Sequence, residues 1–188
     1  MIGAGSILAL DPGTAHLGWA VVAPRTGRVI ELGVVAQKPD PELASSTDRA
    51  TRALVQARLH RKLIQRHGCT AIAAEAASFN PRAFAMTAGL CMSIGAATGV
   101  AAALGLELYE LPPKRWQGAI LDRPPGAKGK IDYDEVFRLL LQFIGQRGIA
   151  VEQLAAIPKG DRNHALDAVG IGVFTALRPD EATRIGGV

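Results

Sequence analysis

The chain has 188 residues and a mass of 19.7 kDa, which matches one domain of ordinary size and excludes a multidomain machine. Hydrophobic residues make up 48% of the chain and charged residues 20%, so a core can form without a disulfide or a structural metal. The net charge of +4 and the isoelectric point near 9.4 favour a polyanionic partner, and the N-terminus carries no predicted export signal.

The first 36 residues predict an antiparallel meander. An apolar run ends in Asp11, and Pro12-Gly13 marks a turn directly after it. Two further apolar runs are joined by a hairpin through 25–27. The three strands are predicted at 6–11, 18–23 and 28–36.

The remaining chain predicts alternating helices and strands, with a D-x-x-E capping box at Asp132 and Glu135. Helices are predicted at 47–67, 81–105, around Trp116, at 132–146 and from 161 to 178, with strands at 70–75 and 106–111. We expect 148–160 to be a connector and the segment after Pro179 to be frayed and flexible. The pattern predicts a single α/β domain over 1–188, with a five-stranded mixed sheet flanked by helices.

One predicted helix has no charged residue between 83 and 106, a length that would suffice to span a membrane. Small residues dominate it and strands flank it, so we interpret it as a helix buried on several sides and expect no membrane contact. Gly95 and Gly99 have the GxxxG spacing that allows a second helix to approach closely. Packing within the chain and packing against a second copy both fit this spacing.

Four polar side chains stand out because each lies where an apolar element ends or faces the sheet. Asp11 and Glu75 end predicted strands, and His164 and Asp167 share one face of the last helix. Singly, each has an ordinary explanation, such as a turn residue for Asp11 and a surface histidine for His164. Together they predict a site where converging carboxylates require a divalent cation, and a pair of Mg²⁺ or Mn²⁺ ions ~4 Å apart suits phosphodiester hydrolysis.

These motifs, taken in order, resemble the RuvC-type Holliday-junction resolvases, which are ribonuclease H-like nucleases. The resemblance covers about 6–178. It is carried by ILALDPG at 7–13, GWAVV at 18–22, AAE at 73–75, the Gly/Ala-rich helix from near Phe84, PPKRW at 112–116 and NHALDA at 163–168. It implies a ribonuclease H-like three-layer fold.

The resemblance implies that Asp11, Glu75, His164 and Asp167 are catalytic metal ligands, with two Mg²⁺ ions, or Mn²⁺, in each active site. His164 stands where an aspartate is commoner, which leaves the choice of metal open. The resemblance further implies residues that contact DNA. These are Phe79, Arg82, Lys114, Arg115, Lys128 and Lys130, although a core position for Phe79 and solvated loop lysines remain alternatives.

The implied activity is metal-dependent cleavage of Holliday junctions or other branched DNA, leaving a 5′-phosphate and a 3′-hydroxyl, by a homodimer that packs through the helix at 81–105. We expect a cytoplasmic protein, associated with the nucleoid if it is bacterial. The alternatives are a ribonuclease H-like enzyme acting on RNA and a junction-binding protein without catalysis. An actin-like ATPase or sugar kinase is excluded because the chain has no second copy of the Asp-Gly turn. The sequence leaves open whether a branch-migration motor is a further partner.

Overall fold

The chain opens with the predicted antiparallel meander. In the computed structural model, which describes residues 5–76, 84–123, 132–145 and 150–185, strand β1 spans Ser6–Asp11, β2 spans His16–Val22 and β3 spans Val29–Ala36. The β2–β3 hairpin is closed by a hydrogen bond from Gly27 N–H to Ala23 O of 3.1 Å. The meander predicted from the apolar runs is confirmed.

Three more strands complete one mixed sheet. They are β4 (Cys69–Glu75), β5 (Glu107–Leu111) and β6 (Thr183–Ile185), and the strand order is β3-β2-β1-β4-β5-β6. β4 is parallel to β1 and β5 is parallel to β4, whereas β6 is antiparallel to β5. The helices are α1 (Ser45–His67), α2 (Phe84–Leu104), α3 (Pro113–Ile120), α4 (Tyr133–Gly145), α5 (Ala150–Ala156) and α6 (Arg162–Leu177).

Strand alternation divides the core into two layers of helices. Leu8 and Leu10 of β1 face α1 and α2, in a cluster that includes Leu63 and Ala97. The intervening residues of β1 face the opposite side, where α3 to α6 pack. The mixed α/β architecture with helices on both faces is as predicted.

The sheet has six strands where five were predicted. The segment after Pro179, for which fraying was expected, continues into β6, and Arg184 there lies 2.9 Å from the Glu107 carboxylate of β5. β6 was missed because it has only three residues, all of them exposed, and so shows no apolar alternation.

The expected connector at 148–160 contains a helix, so that prediction is wrong. α5 buries Leu154, and Gln153 Oε1 accepts a hydrogen bond of 3.1 Å from Leu32 N–H of β3. Seven residues are too few to show a helical period, which explains the omission. Half of the capping box predicted at the start of α4 is confirmed: Glu135 N–H donates to Asp132 Oδ1 at 3.2 Å, whereas the Glu135 carboxylate accepts hydrogen bonds from Arg138.

Helix α2 is less buried than the sequence predicts. Within the described residues, Thr87–Leu104 is one segment long and apolar enough to cross a membrane, yet only 28% of it is buried. α2 connects β4 to β5, which pair directly, so its removal to a bilayer would separate two neighbouring strands. One side packs on α1 and the sheet, while Cys91, Gly95 and Gly99 are exposed. The expectation of a helix buried on several sides is therefore wrong for this chain.

Candidate functional site

Two acidic side chains end adjacent parallel strands on the same face of the sheet. The register pairs Leu10 of β1 with Ala74 of β4, and the next residues are Asp11 and Glu75. Because side chains alternate along a strand, Asp11 follows Ala9 onto the α6 side of the sheet, and Glu75 likewise follows Ala73. Strand geometry therefore brings these two carboxyl groups together.

Helix α6 covers this strand end at close range. A Cβ atom placed on Gly18 of β2 would lie 1.9 Å from the carbonyl oxygen of His164, so the first turn of α6 rests on bare strand backbone. Farther along, Gly172 approaches Ala9 and Val22 in the same way. Only glycine permits these contacts, and they bring the first turn of α6 onto the end of β1.

His164 contacts Asp11 directly. The distance from His164 Nδ1 to Asp11 Oδ2 is 2.6 Å, and the side chains are 37% and 12% exposed. The hydrogen bond to Asp11 raises the pKa of His164 above its ordinary value, and partial burial opposes that rise. In the absence of a cation, a proton on Nδ1 holds these two groups together.

The other two carboxyl groups of the site, those of Glu75 and Asp167, have raised pKa values. Burial, followed by the charges of Asp11 and Asp167 and a hydrogen bond with Asp11, raises the pKa of Glu75 to about 8. Burial and the charge of Asp11 raise the pKa of Asp167 to about 7, against the opposing effect of His164. Asp167 Oδ1 is buried without a hydrogen-bond partner. The cluster therefore has more negative charge and more acceptors than its protein surroundings satisfy.

This donor set fits a hard divalent cation. Carboxylate oxygens and one imidazole nitrogen suit Mg²⁺ or Mn²⁺, and a cation would satisfy the orphaned oxygen of Asp167 and relieve the repulsion that raises the pKa of Glu75. Among the described residues, no three His, Cys, Asp or Glu side chains already surround a common point at ligand distances. Asp11 Oδ2 and His164 Nδ1 bond to each other instead, so this hydrogen bond must open before these two atoms can bind a cation.

His16 and Asp161 extend the site and were missed from the sequence. The rings of His16 and His164 stack, and Asp161 Oδ1 lies 3.0 Å from His16 Nδ1. Asp161 is at the N-cap position of α6 but makes no capping hydrogen bond with its side chain. The alternation of His16 and Gly18 on one strand face was the signal that could have revealed this contact.

A buried polar network that the sequence did not reveal holds the turn after Asp11. Gln56 of α1 donates from Nε2 to the Gly13 carbonyl at 2.8 Å, and Ser93 of α2 donates to Gln56 Oε1 at 2.7 Å. Arg52 donates to the Thr14 carbonyl at 3.3 Å. Both helices of one layer thus fix the backbone beside the candidate site.

Only part of the predicted DNA-contacting set lies in the described residues. Lys114 and Arg115 are exposed at the start of α3, just after β5, whose Leu111 pairs with Glu75. Arg115 makes a long contact of 3.8 Å with Glu181. The other four predicted residues, Phe79, Arg82, Lys128 and Lys130, lie outside the described residues.

The chain is similar to known proteins over most of its length. No protein-family model matches the chain. Crossover junction endodeoxyribonuclease RuvC of Chloroflexus aggregans is 26% identical over an alignment 188 residues long. The alignment covers 95% of this chain and 97% of the relative. RuvC of Roseiflexus sp. is 28% identical over 172 residues, which cover 88% and 87%. The resemblance predicted from the motifs is confirmed over most of the chain.

Solved structures confirm the fold. Thermus thermophilus RuvC in complex with a Holliday junction substrate superimposes with a TM-score of 0.72 at 22% identity, covering 96% of this chain and 99% of that one. The yeast mitochondrial Holliday junction resolvase Ydc2 superimposes with a TM-score of 0.62 at 13% identity, covering 92% and 78%. The chain therefore has the ribonuclease H-like fold of the RuvC structures.

Proposed function

We propose that this chain is a RuvC-type crossover junction endodeoxyribonuclease, a metal-dependent enzyme that nicks Holliday junctions in DNA recombination and repair. The observation that carries the proposal is the gathering of Asp11, Glu75, His164 and Asp167 at one strand end. Full-length similarity to proteins named RuvC supports the substrate class.

The four side chains of the site are proposed metal ligands. Asp11, Glu75, Asp167 and His164 would hold divalent cations, most simply two Mg²⁺ or Mn²⁺ ions. Bound cations supply activation of a water nucleophile and stabilisation of the leaving oxygen, which yields a 5′-phosphate and a 3′-hydroxyl. The close packing of α6 on β2 at Gly18 fixes the distance between the His164 backbone and the strand ends.

Basic residues near the site are suited to the phosphate backbone of DNA. Lys114 and Arg115 are exposed beside the end of β5, where they can neutralise phosphates without burying their own charge. Lys128 and Lys130 stay in the proposal as phosphate contacts because the Gly/Pro-rich segment that carries them lies between α3 and α4 in sequence. Phe79 and Arg82, shortly after Glu75, are proposed to meet the opened bases and the adjoining backbone.

The exposed side of α2 is the proposed homodimer interface. No described side chain of this chain approaches the positions that Cβ atoms would take at Gly95 and Gly99, so the helix presents a flat strip of backbone. Beside it, α1 and α2 line an apolar groove of about 540 Å³, bordered by Arg58 and Arg61. Association through this side would bury exposed Leu104 and would relate two active sites by a two-fold axis, as paired nicks require.

Cleavage of a labelled four-way junction tests the proposal. The full chain is incubated with the junction, a matched duplex and an RNA–DNA hybrid, each with Mg²⁺, Mn²⁺ or a chelator, and the nicks are mapped. Paired symmetric nicks in the junction alone, dependent on the cation, are expected. Preferential cleavage of the hybrid, or junction binding without nicks under every metal condition, would refute the proposal.

A further inference from the structure

We infer that His16 is a positioning residue of the candidate metal centre. Its ring stacks on the His164 imidazole and fixes the plane from which His164 binds a cation. The inference rests on the proposed function, because it takes His164 as a ligand. His16 has no part in the ligand set implied by the family resemblance.

The two rings form an offset parallel stack. Their centroids are 5.4 Å apart and their planes differ by 9°, a geometry that aromatic side chains favour. On its far side, His16 Nδ1 lies 3.0 Å from Asp161 Oδ1. The two atoms are not aligned for a hydrogen bond. The His16 ring therefore lies between the carboxylate of Asp161 and the face of His164.

The strand dictates this arrangement. His16 and Gly18 are two residues apart on β2, so both face α6. Because the backbone of His164 rests on Gly18, the side chain of His16 meets the first turn of α6 at the level of the His164 ring. Asp161 directly precedes that turn and brings its carboxylate to the same place.

An imidazole ligand needs orientation more than a carboxylate does. A carboxylate can present either of two equivalent oxygens, whereas each ring nitrogen has one lone pair in the ring plane. Ligating histidines are usually fixed by a hydrogen bond from their second nitrogen. Within the described part of the chain, Nδ1 of His164 bonds to Asp11 and no hydrogen bond to Nε2 is present. A contact with the ring face supplies the orientation instead.

Calorimetric titration of Mn²⁺ alone into the DNA-free protein tests the inference without relying on activity. His16→Ala and His16→Gln, which both remove the ring, should weaken Mn²⁺ binding about 10-fold. His16→Phe keeps a stacking face and should retain most of the affinity. His67→Ala is the matched control. His67 is the last residue of α1, and its Nε2 lies 2.6 Å from Glu31 Oε2, so Mn²⁺ binding should not change.

A second background separates positioning from a general structural effect. In His164→Asp protein there is no ring to orient, so adding His16→Ala should leave Mn²⁺ affinity unchanged. Equal weakening in both backgrounds, or none in either, would overturn the role of His16, while junction cleavage by the wild type would still support the proposed function. A ring-dependent Mn²⁺ affinity without any junction cleavage would leave His16 as assigned and refute the nuclease.

Discussion

His164 Nδ1 lies 2.6 Å from Asp11 Oδ2, although 153 positions separate the two residues in the chain. The contact joins the first strand to the last helix across the full length of the sequence. The neighbouring Glu75 comes from a second strand, β4, and Asp167 comes from the same helix. The candidate site is therefore a property of the whole fold, and its predictions can be tested by changes in several elements.

Asp167→Asn should reduce junction cleavage by about 10³-fold or more while leaving junction binding intact, since the amide keeps the shape but cannot hold a cation as a carboxylate does. Asp11→Asn should behave alike. Nick rates and gel-shift affinities on the same labelled junction measure the two effects. Asp180→Asn, an exposed aspartate after the far end of α6, is the control. Full cleavage by both site variants would remove the metal-site assignment.

In chelator, the free energy of unfolding should fall as the pH rises from about 5 to about 8. Glu75 and Asp167 have pKa values raised to about 8 and about 7, so the folded state retains protons that the unfolded state has released. His164, whose pKa is raised by Asp11, acts in the same direction. A fall of ~2 kcal/mol or more is expected, because one proton retained over one pH unit is worth ~1.4 kcal/mol. Denaturant unfolding at several pH values measures it.

Other titrating groups also shape the pH profile, so the comparison with Glu75→Gln is decisive. The variant should be more stable than the wild type at pH 8 in chelator, and its profile should be flatter. Identical slopes for the two proteins would show that Glu75 is not held protonated by its neighbours.

Gly18→Ala should destabilise the fold and disable the site. The new methyl group would overlap the carbonyl oxygen of His164, so the first turn of α6 must move away from β2. We expect a loss of ~1–3 kcal/mol in unfolding free energy, with cleavage reduced at saturating junction concentration. Gly118→Ala in α3 is the control, because its Cβ would meet nothing within 4 Å among the described residues and the position lies outside the proposed dimer interface. It should be neutral or stabilising. Wild-type nick rates in Gly18→Ala would contradict the close packing.

Gly95→Leu should lower the dimer content without disturbing the monomer fold. Among the described residues, nothing lies within 4 Å of a Cβ atom placed on Gly95, so the leucine fits the isolated chain but separates two helices packed through this strip. Sedimentation across a concentration series measures the dissociation constant. Arg28→Leu, which adds an exposed leucine near the β2–β3 hairpin, should not change it. An unaltered sedimentation profile for Gly95→Leu would rule out this interface.

Junction binding should weaken, whatever the DNA sequence, in a triple variant that combines Lys114→Ala, Lys128→Ala and Lys130→Ala. Each lost phosphate contact should reduce the slope of log affinity against log salt by about 1. Lys62→Ala, on the exposed side of α1, serves as the control. An unchanged slope in the triple variant would show that these lysines do not contact phosphates and are ordinary solvated residues.

The sequence was informative where a periodic rule acts on a functional residue. The position of Asp11 and Glu75 at the ends of predicted strands grouped these two carboxylates, and the i, i+3 spacing of one helix face grouped His164 with Asp167. The start of α4 was identified from Asp132 and Glu135, because the capping hydrogen bond is local. Each of these features depends on residues close together in sequence, except the pairing of Asp11 with Glu75, which follows from the adjacency of two strands.

Contacts between distant elements left no such trace. Gln56 reaches the carbonyl of Gly13 across 43 positions, and nothing in the helix pattern distinguishes it from a surface glutamine. The stack of His16 on His164 depends on how closely α6 packs against Gly18 of β2. No local sequence pattern encodes that distance between helix and strand. β6 was missed because its stability comes from its partner strand rather than from its own residues.

The span between β1 and α6 also matters while the protein is being made. A nascent chain that has emerged only through β5 presents Asp11 and Glu75 but neither His164 nor Asp167, since both lie in the sixth helix. Ribosomes extend chains at about 5–20 residues per second, so several seconds separate the appearance of the two halves of the site. Under the proposed function, a chain that ends before α6 would lack two of the four candidate ligands and would not cut DNA.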